Sequence, residues 1–138
     1  MVDEEIVKEI TSGKKDLRGA DLYNANLENV DLSDANLTGV DLSNANLRGG
    51  NLRGANLTNA DLRGGNLKNA DLRGADLYNA DLRNVNLRNA HLENADLTGA
   101  DLSGSDLTNA DFREVDLRNA DVSEVDLSVA KFGSWVKE

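Results

Sequence analysis

A central apolar residue recurs at every fifth position from residue 17 to residue 127, in 23 consecutive units. It is Leu in 21 of them, with Phe112 and Val122 as the exceptions. Two residues before it, in every unit after the first (where it is Lys15), stands a small residue, mostly Ala, with Val at 30, 40, 85, 115 and 125, Gly at 50 and 65, and Ser105. The residue before the centre is Asp or Asn in 22 of 23 units, His91 excepted, and the second residue after it is Gly or Asn in 19 of 23. A period of five matches neither the helix, near 3.6, nor the strand, at 2. A helix would spread the leucines around its circumference, and a flat strand would alternate them between faces. A coil with five-residue sides turns every Leu and Ala inward, with Gly or Asn at each corner supplying positive φ.

Four units make a coil of 20 residues, and this length can be tested on the exceptions. The inward glycines Gly50 and Gly65 fall one coil from Val30 and Val85, as volume compensation in a packed interior requires. Phe112 and Phe132 are also 20 apart and should stack. Residues 16–130 then form nearly six coils, a rod about 27 Å long at the spacing of paired strands.

The flanks predict a three-part organisation: a helical cap over 1–15, the array over 16–130 and a closing tail over 131–138. Asp3 to Ser12 reads as a helix with Asp3 as N-cap, Glu4 and Glu5 in its first turn and Gly13 beyond its end. Val2, Ile6, Val7 and Ile10 give it one apolar stripe, suited to covering the open end of a stack. At the other end, Phe132, Trp135 and Val136 can cover the last coil. The competing reading is a homodimer contact, since either arrangement would protect the exposed edge.

Units such as Ala20-Asp21-Leu22-Tyr23-Asn24 and Ala95-Asp96-Leu97-Thr98-Gly99 follow the pattern A(D/N)LXX. The chain thereby resembles the pentapeptide-repeat family over about 115 of its 138 residues. The resemblance implies an all-β solenoid, a right-handed quadrilateral β-helix. The regularity also suits a consensus-like or designed member.

Charge narrows the partners. The formal net charge is −10, which disfavours direct binding to nucleic acid and suits a basic protein partner. No apolar run reaches membrane-spanning length. The acidic, amphipathic start does not resemble a secretory signal, so a cytoplasmic location is the default. With no Cys, thiolate metal sites and disulfides are excluded. The ten acidic residues Glu93, Asp96, Asp101, Asp106, Asp111, Glu114, Asp116, Asp121, Glu124 and Asp126 meet only Arg113 and Arg118 between positions 93 and 126. They form the candidate interaction surface.

No catalytic site is expected. A core of Leu and Ala leaves no pocket, no insertion builds a cleft, and His91 is the sole histidine to serve as a base. His91 reads as a tolerated surface substitution, with a weak metal site made with Asp71 and Asp111 as the lesser alternative. The acidic columns read as solvated faces, because a flat ladder does not converge oxygen ligands on calcium. Tyr23 and Tyr78 stand alone and make no stacking platform. No cofactor is implied.

Two functions follow. The first is a non-catalytic structural or protein-interaction solenoid. The second is a DNA mimic acting on DNA gyrase, a type II topoisomerase, through the acidic C-terminal coils. It is implied by the resemblance, since the family includes proteins that protect or inhibit gyrase. Leu in place of Phe at the centres, a short tail and the absence of loops depart from those members.

Overall fold

The structure is a computed structural model that describes residues 4–133. Helix α1 spans Glu4–Thr11 and carries Glu4 and Glu5 in its first turn. It ends where Gly13, at φ 105°, donates to the Ile10 carbonyl while Lys14 N–H reaches back to Glu9. This paired closure needs a left-handed residue after the last turn, which Gly provides at no steric cost. Ile10 is buried, and Ile6 and Val7 pack against the core in part. The expected N-cap Asp3 and stripe residue Val2 lie outside the described residues.

From Asp16 onward the chain pairs with itself at a separation of 20 residues. Parallel one-residue bridges join Asp21 to Asp41, Asn26 to Asn46, Asp31 to Asn51 and Asn36 to Asn56, and the series continues to Asp111 and Lys131. Four faces follow, centred on Leu17, Leu22, Leu27 and Leu32 and repeated every coil; they are called faces 1 to 4 below. Every central residue from Leu17 to Phe112 is at most 2% exposed. A 3-10 turn at Leu127–Val129, capped by Asp126, ends the array.

One unit shows why the five positions hold the residues they do. In Ala55-Asn56-Leu57-Thr58-Asn59, Ala55 N–H donates to the Leu52 carbonyl at 3.0 Å, closing the corner. Asn56 N–H donates back to Ala35 of the preceding coil, and Leu57 and Asn59 donate forward to Asp76 and Tyr78. Thr58 N–H faces no neighbouring carbonyl and donates to Oδ1 of Asn56, two residues earlier, at 3.0 Å. All five amides are thus partnered. The Asp/Asn position is a fold requirement, because only a short side chain with a carbonyl-type oxygen closes this Asx turn.

The corner prediction holds throughout. Each corner residue from Gly19 to Glu124 has positive φ. Most are Gly or Asn, but Glu114 at 62° and Glu124 at 59° adopt the left-handed region with a longer side chain. Changing either to Asn, the residue at eleven other corners, should raise stability by about 0.5–1 kcal/mol, measured as an increase in denaturation midpoint at unchanged slope.

The interior compensation is seen at one of the two places expected. A methyl added at Gly50 would lie 3.6 Å from Val30 Cγ1, so Val30 occupies the neighbouring space. At Gly65 the three nearest atoms are the carbonyl oxygens of Leu62, Ala45 and Leu42, with no valine methyl among them. Ser105 is satisfied within the core, its hydroxyl donating to the Leu102 carbonyl at 2.5 Å.

Candidate functional site

The ten acidic residues of the C-terminal coils do not form one patch. The 20-residue register puts Glu93 and Asp111 on face 4, Asp96 and Asp116 on face 1, Asp101 and Asp121 on face 2, and Asp106 and Asp126 on face 3. Glu114 and Glu124 stand at corners. The result is a band around one end of the rod.

Most of these carboxylates already have work within the fold. Oδ1 of Asp96, Asp101, Asp106, Asp111, Asp116, Asp121 and Asp126 accepts the N–H two residues on. The hydroxyls of Thr108, Ser123 and Ser128 donate to the same oxygens of Asp106, Asp121 and Asp126. Asp111, nearly buried, and Asp116 are each gripped by the guanidinium of Arg113 or Arg118. Arg88 reaches Asp106 at 3.3 Å from the coil before. Among the described residues, Asp96, Asp121, Asp126, Glu114 and Glu124 form no ion pair, so they carry the outward charge of the band.

The cations follow one local rule. Where Arg follows Leu or Phe after Asp, it turns back and forks onto that Asp, as in Arg18–Asp16, Arg63–Asp61, Arg73–Asp71, Arg83–Asp81, Arg113–Asp111 and Arg118–Asp116. The two side chains are i and i+2 on one face, within reach of a bidentate pair. Where Asn stands in place of Asp, as before Arg48, Arg53, Lys68 and Arg88, no fork forms. The first three make no ion pair among the described residues. Face 2, which is all Asp from 21 to 121, is bridged by Arg63 Nε 3.7 Å from Asp81 and Arg83 Nε 3.8 Å from Asp101. The Asn column of face 3 makes one amide contact, Asn46 to Asn26 at 3.3 Å. The remaining Asn oxygens serve the Asx turns.

These bonds hold carboxyls below the ordinary range. Asp16, Asp61, Asp71, Asp81, Asp111 and Asp116 are lowered foremost by the side-chain hydrogen bond from their Arg, aided by the backbone N–H. Asp116 falls to about 2. Asp31, Asp106, Asp121 and Asp126 are lowered first by a Ser or Thr hydroxyl. A carboxyl whose folded pKa lies below its unfolded value contributes stability that is complete above the unfolded value, about 3.9, and lost as pH falls through the folded one. Thermal stability should therefore be level above about pH 5 and decline between about pH 4 and 2. Melting curves across that range test this, and a decline starting above pH 5 would contradict it.

At the tail, Lys131 N–H donates to the Ala110 carbonyl and Phe112 N–H donates to Lys131, so the ladder runs past the repeats. Phe132 stacks on Phe112 with ring centroids 5.7 Å apart and a 44° tilt. Trp135 and Val136, the other candidate capping or dimer residues, lie outside the described residues. The grooves at the two ends are open, one beneath α1 beside Leu27 and Val30, the other beside Val115, Leu117 and Phe132. His91 does not share a ligand set with Asp71, whose carboxylate is not among the ligand atoms that converge with the ring. Its neighbours are Glu93 and Asp111. No described helix is long and apolar enough to cross a membrane.

A filled parallel β-solenoid with a 20-residue coil, five residues to a side and an Asx turn in nearly every side is the class these features define. The model of pentapeptide repeats matches in eight copies over residues 16–54, 50–89 and 90–128, and the chain belongs to the pentapeptide-repeat family. Family neighbours carry the right-handed quadrilateral β-helix. The pentapeptide repeat protein Rfr23 from the cyanobacterium Cyanothece 51142 is similar at 21% identity over 96% of this chain and 97% of its own, with a TM-score of 0.60. A pentapeptide repeat protein of the Arabidopsis thaliana thylakoid lumen is 40% identical over 81% of this chain and 74% of its own, with a TM-score of 0.53. QnrB1, a plasmid-mediated fluoroquinolone resistance protein, is 26% identical over 87% of this chain and 78% of its own. Its TM-score of 0.42 is too low to bear on function. No curated protein matches.

Proposed function

We propose that this chain is a non-catalytic interaction solenoid of the cytoplasm, a rigid rod of about six coils capped by α1. It presents its acidic C-terminal band to a basic protein partner. The observation that supports this best is the filled interior: the central residues from Leu17 to Phe112 are buried without interruption, so recognition falls to the outer faces. There, Asp96, Asp121, Asp126, Glu114 and Glu124 form no ion pair among the described residues and leave their charge on the surface. Complementary potential would steer and orient such a partner.

The Asx turn supplies a clean test. Asn serves it as well as Asp, so Asp96→Asn, Asp121→Asn and Asp126→Asn together remove three charges and keep the turn oxygen. The melting temperature should fall only slightly at neutral pH, by the charge-dependent part of the hydroxyl bonds at Asp121 and Asp126. Association with a basic probe such as polylysine, measured by titration at low and high salt, should weaken. Equal binding by the triple variant would reject the band as the surface.

The DNA-mimic reading draws its support from the same band. Against it, the middle coils carry Arg63, Arg73 and Arg83 clamped on face 2 and face 4 aspartates, and Arg48, Arg53 and Lys68 stand outside any ion pair among the described residues, so a continuous negative rod is not formed. A gyrase supercoiling assay with and without a quinolone separates the two readings. Inhibition or protection at micromolar protein would favour the mimic.

A further inference from the structure

One unit of the array breaks the amide accounting. In the 22 units with Asp or Asn before the centre, that side chain accepts the N–H two residues on, as Asn86 does from Arg88 and Asp96 from Thr98. In His91-Leu92-Glu93 an imidazole takes the place of the acceptor, and among the described residues Glu93 N–H has no protein acceptor. The same residue carries a second orphan. Its Oε1 is buried with no hydrogen-bond partner, while Oε2 lies 3.8 Å from the Arg113 guanidinium. Buried polar atoms without partners are rare enough that each calls for a cause, an ion among them.

The surroundings supply one. His91 Nδ1 lies 3.4 Å from the orphaned oxygen. Asp111 bridges to His91 across the coil boundary, and its side chain is 6% exposed. One ligand atom from each of His91, Glu93 and Asp111 lies within 4.8 Å of the others. We propose that these three side chains form a divalent transition-metal site of the zinc class that clips two successive coils together on face 4. An imidazole with two carboxylates is a donor set suited to zinc, with water as the fourth ligand. Bond lengths near 2.1 Å require ligand atoms about 3.5 Å apart, so the site must close by about 1 Å. The half-exposed His91 ring can rotate to do so.

The ion has competitors among the chain's own cations. Arg113 forks onto Asp111, Arg73 acts on Glu93 from the coil below, and Lys131 acts on Asp111 from above. Zinc must displace the Arg113 fork, so Arg113 weakens the site without abolishing it.

His91→Asn separates the roles, since Asn is the residue the fold accepts there. Zinc-free, this variant should melt higher than the parent, because Glu93 N–H regains its acceptor. In zinc titrations of the full chain, the parent should gain melting temperature with zinc by mass action, and its His91 ring resonances should shift. His91→Asn should gain nothing. Arg113→Ser should bind zinc several-fold more tightly, with Asp111 released. An equal zinc response in His91→Asn would show an ion held adventitiously by the acidic band. Unmoved His91 resonances at millimolar zinc would overturn the site outright. Unchanged affinity in Arg113→Ser would remove Asp111 from the ligand set and with it the inter-coil clip.

Discussion

Replacing Leu67 with Asn is expected to lower folding stability by about 2–4 kcal/mol. Leu67 is fully buried on face 3, in the column that runs through Leu47 and Leu87. Its backbone is already satisfied, with N–H donated to Asn86 and the carbonyl accepting from Ala70. The backbone groups around it are committed in the same way, so a carboxamide placed there meets aliphatic side chains and no free donor or acceptor. The new amide would lose its hydration without replacement, and the leucine's apolar contacts would go with it. A midcoil position makes the damage worse. Each coil of a solenoid rests on its two neighbours, so a lesion in the centre uncouples both halves. Thr58→Lys is the control. Thr58 points outward, its amide bond is made by Asn56 rather than by its own side chain, and Lys68 holds the same place in another unit. Thermal denaturation of the two variants should differ by roughly 10 °C for a chain of this size. Equal melting temperatures would mean that the inward assignment is wrong.

Much of this architecture could be read directly from spacing. Leu67 and Ala55 are inward because a five-residue period has no other way to bury them together. Asn59 is a corner because it tolerates positive φ, and the Gly50–Val30 and Phe112–Phe132 coincidences supported a 20-residue coil whose square section the family resemblance implied. The polar columns were less legible. Asp and Asn before each Leu read as surface ladders, whereas their oxygens close the Asx turn, a bond to an amide that only the folded corner leaves over. The Arg forks depend on the same local geometry, so Arg63 and Arg48 look alike in a column of charges and differ in the structure. For the candidate surface, the count of acids was visible, but their spread over four faces and their internal commitments were not. The loss at His91 was visible as a broken consensus. That it orphans the Glu93 amide is set by the folded Asx turn, whose bond every Asp or Asn unit makes and His91 does not.

Phe112→Ala is expected to cost about 3–5 kcal/mol, the usual range for emptying a fully buried aromatic site. Phe112→Leu, which returns the unit to the consensus of the other faces, should cost about 1 kcal/mol. Where the loss is felt matters as much as its size. Phe112 is the last fully buried central residue. Beyond it Leu117, Val122, Val125 and Leu127 are only partly buried, and Phe132 leans on its ring. A cavity at 112 therefore loosens the seat of Phe132 and the Lys131 bridge together, while the coils below keep their own neighbours. In a nearest-neighbour stack, such a lesion frays one end before it unfolds the whole. Hydrogen exchange on Phe112→Ala should show lost protection at Phe112, Asp116, Asp121 and Lys131, whose amides donate to carbonyls across coils. Leu47 and Leu67 should stay protected. Loss of protection at Leu47 and Leu67 to the same extent would mean that the array unfolds as a single unit and that the end holds no separate stability. In that case the acidic band would be no more mobile than the core on which it rests.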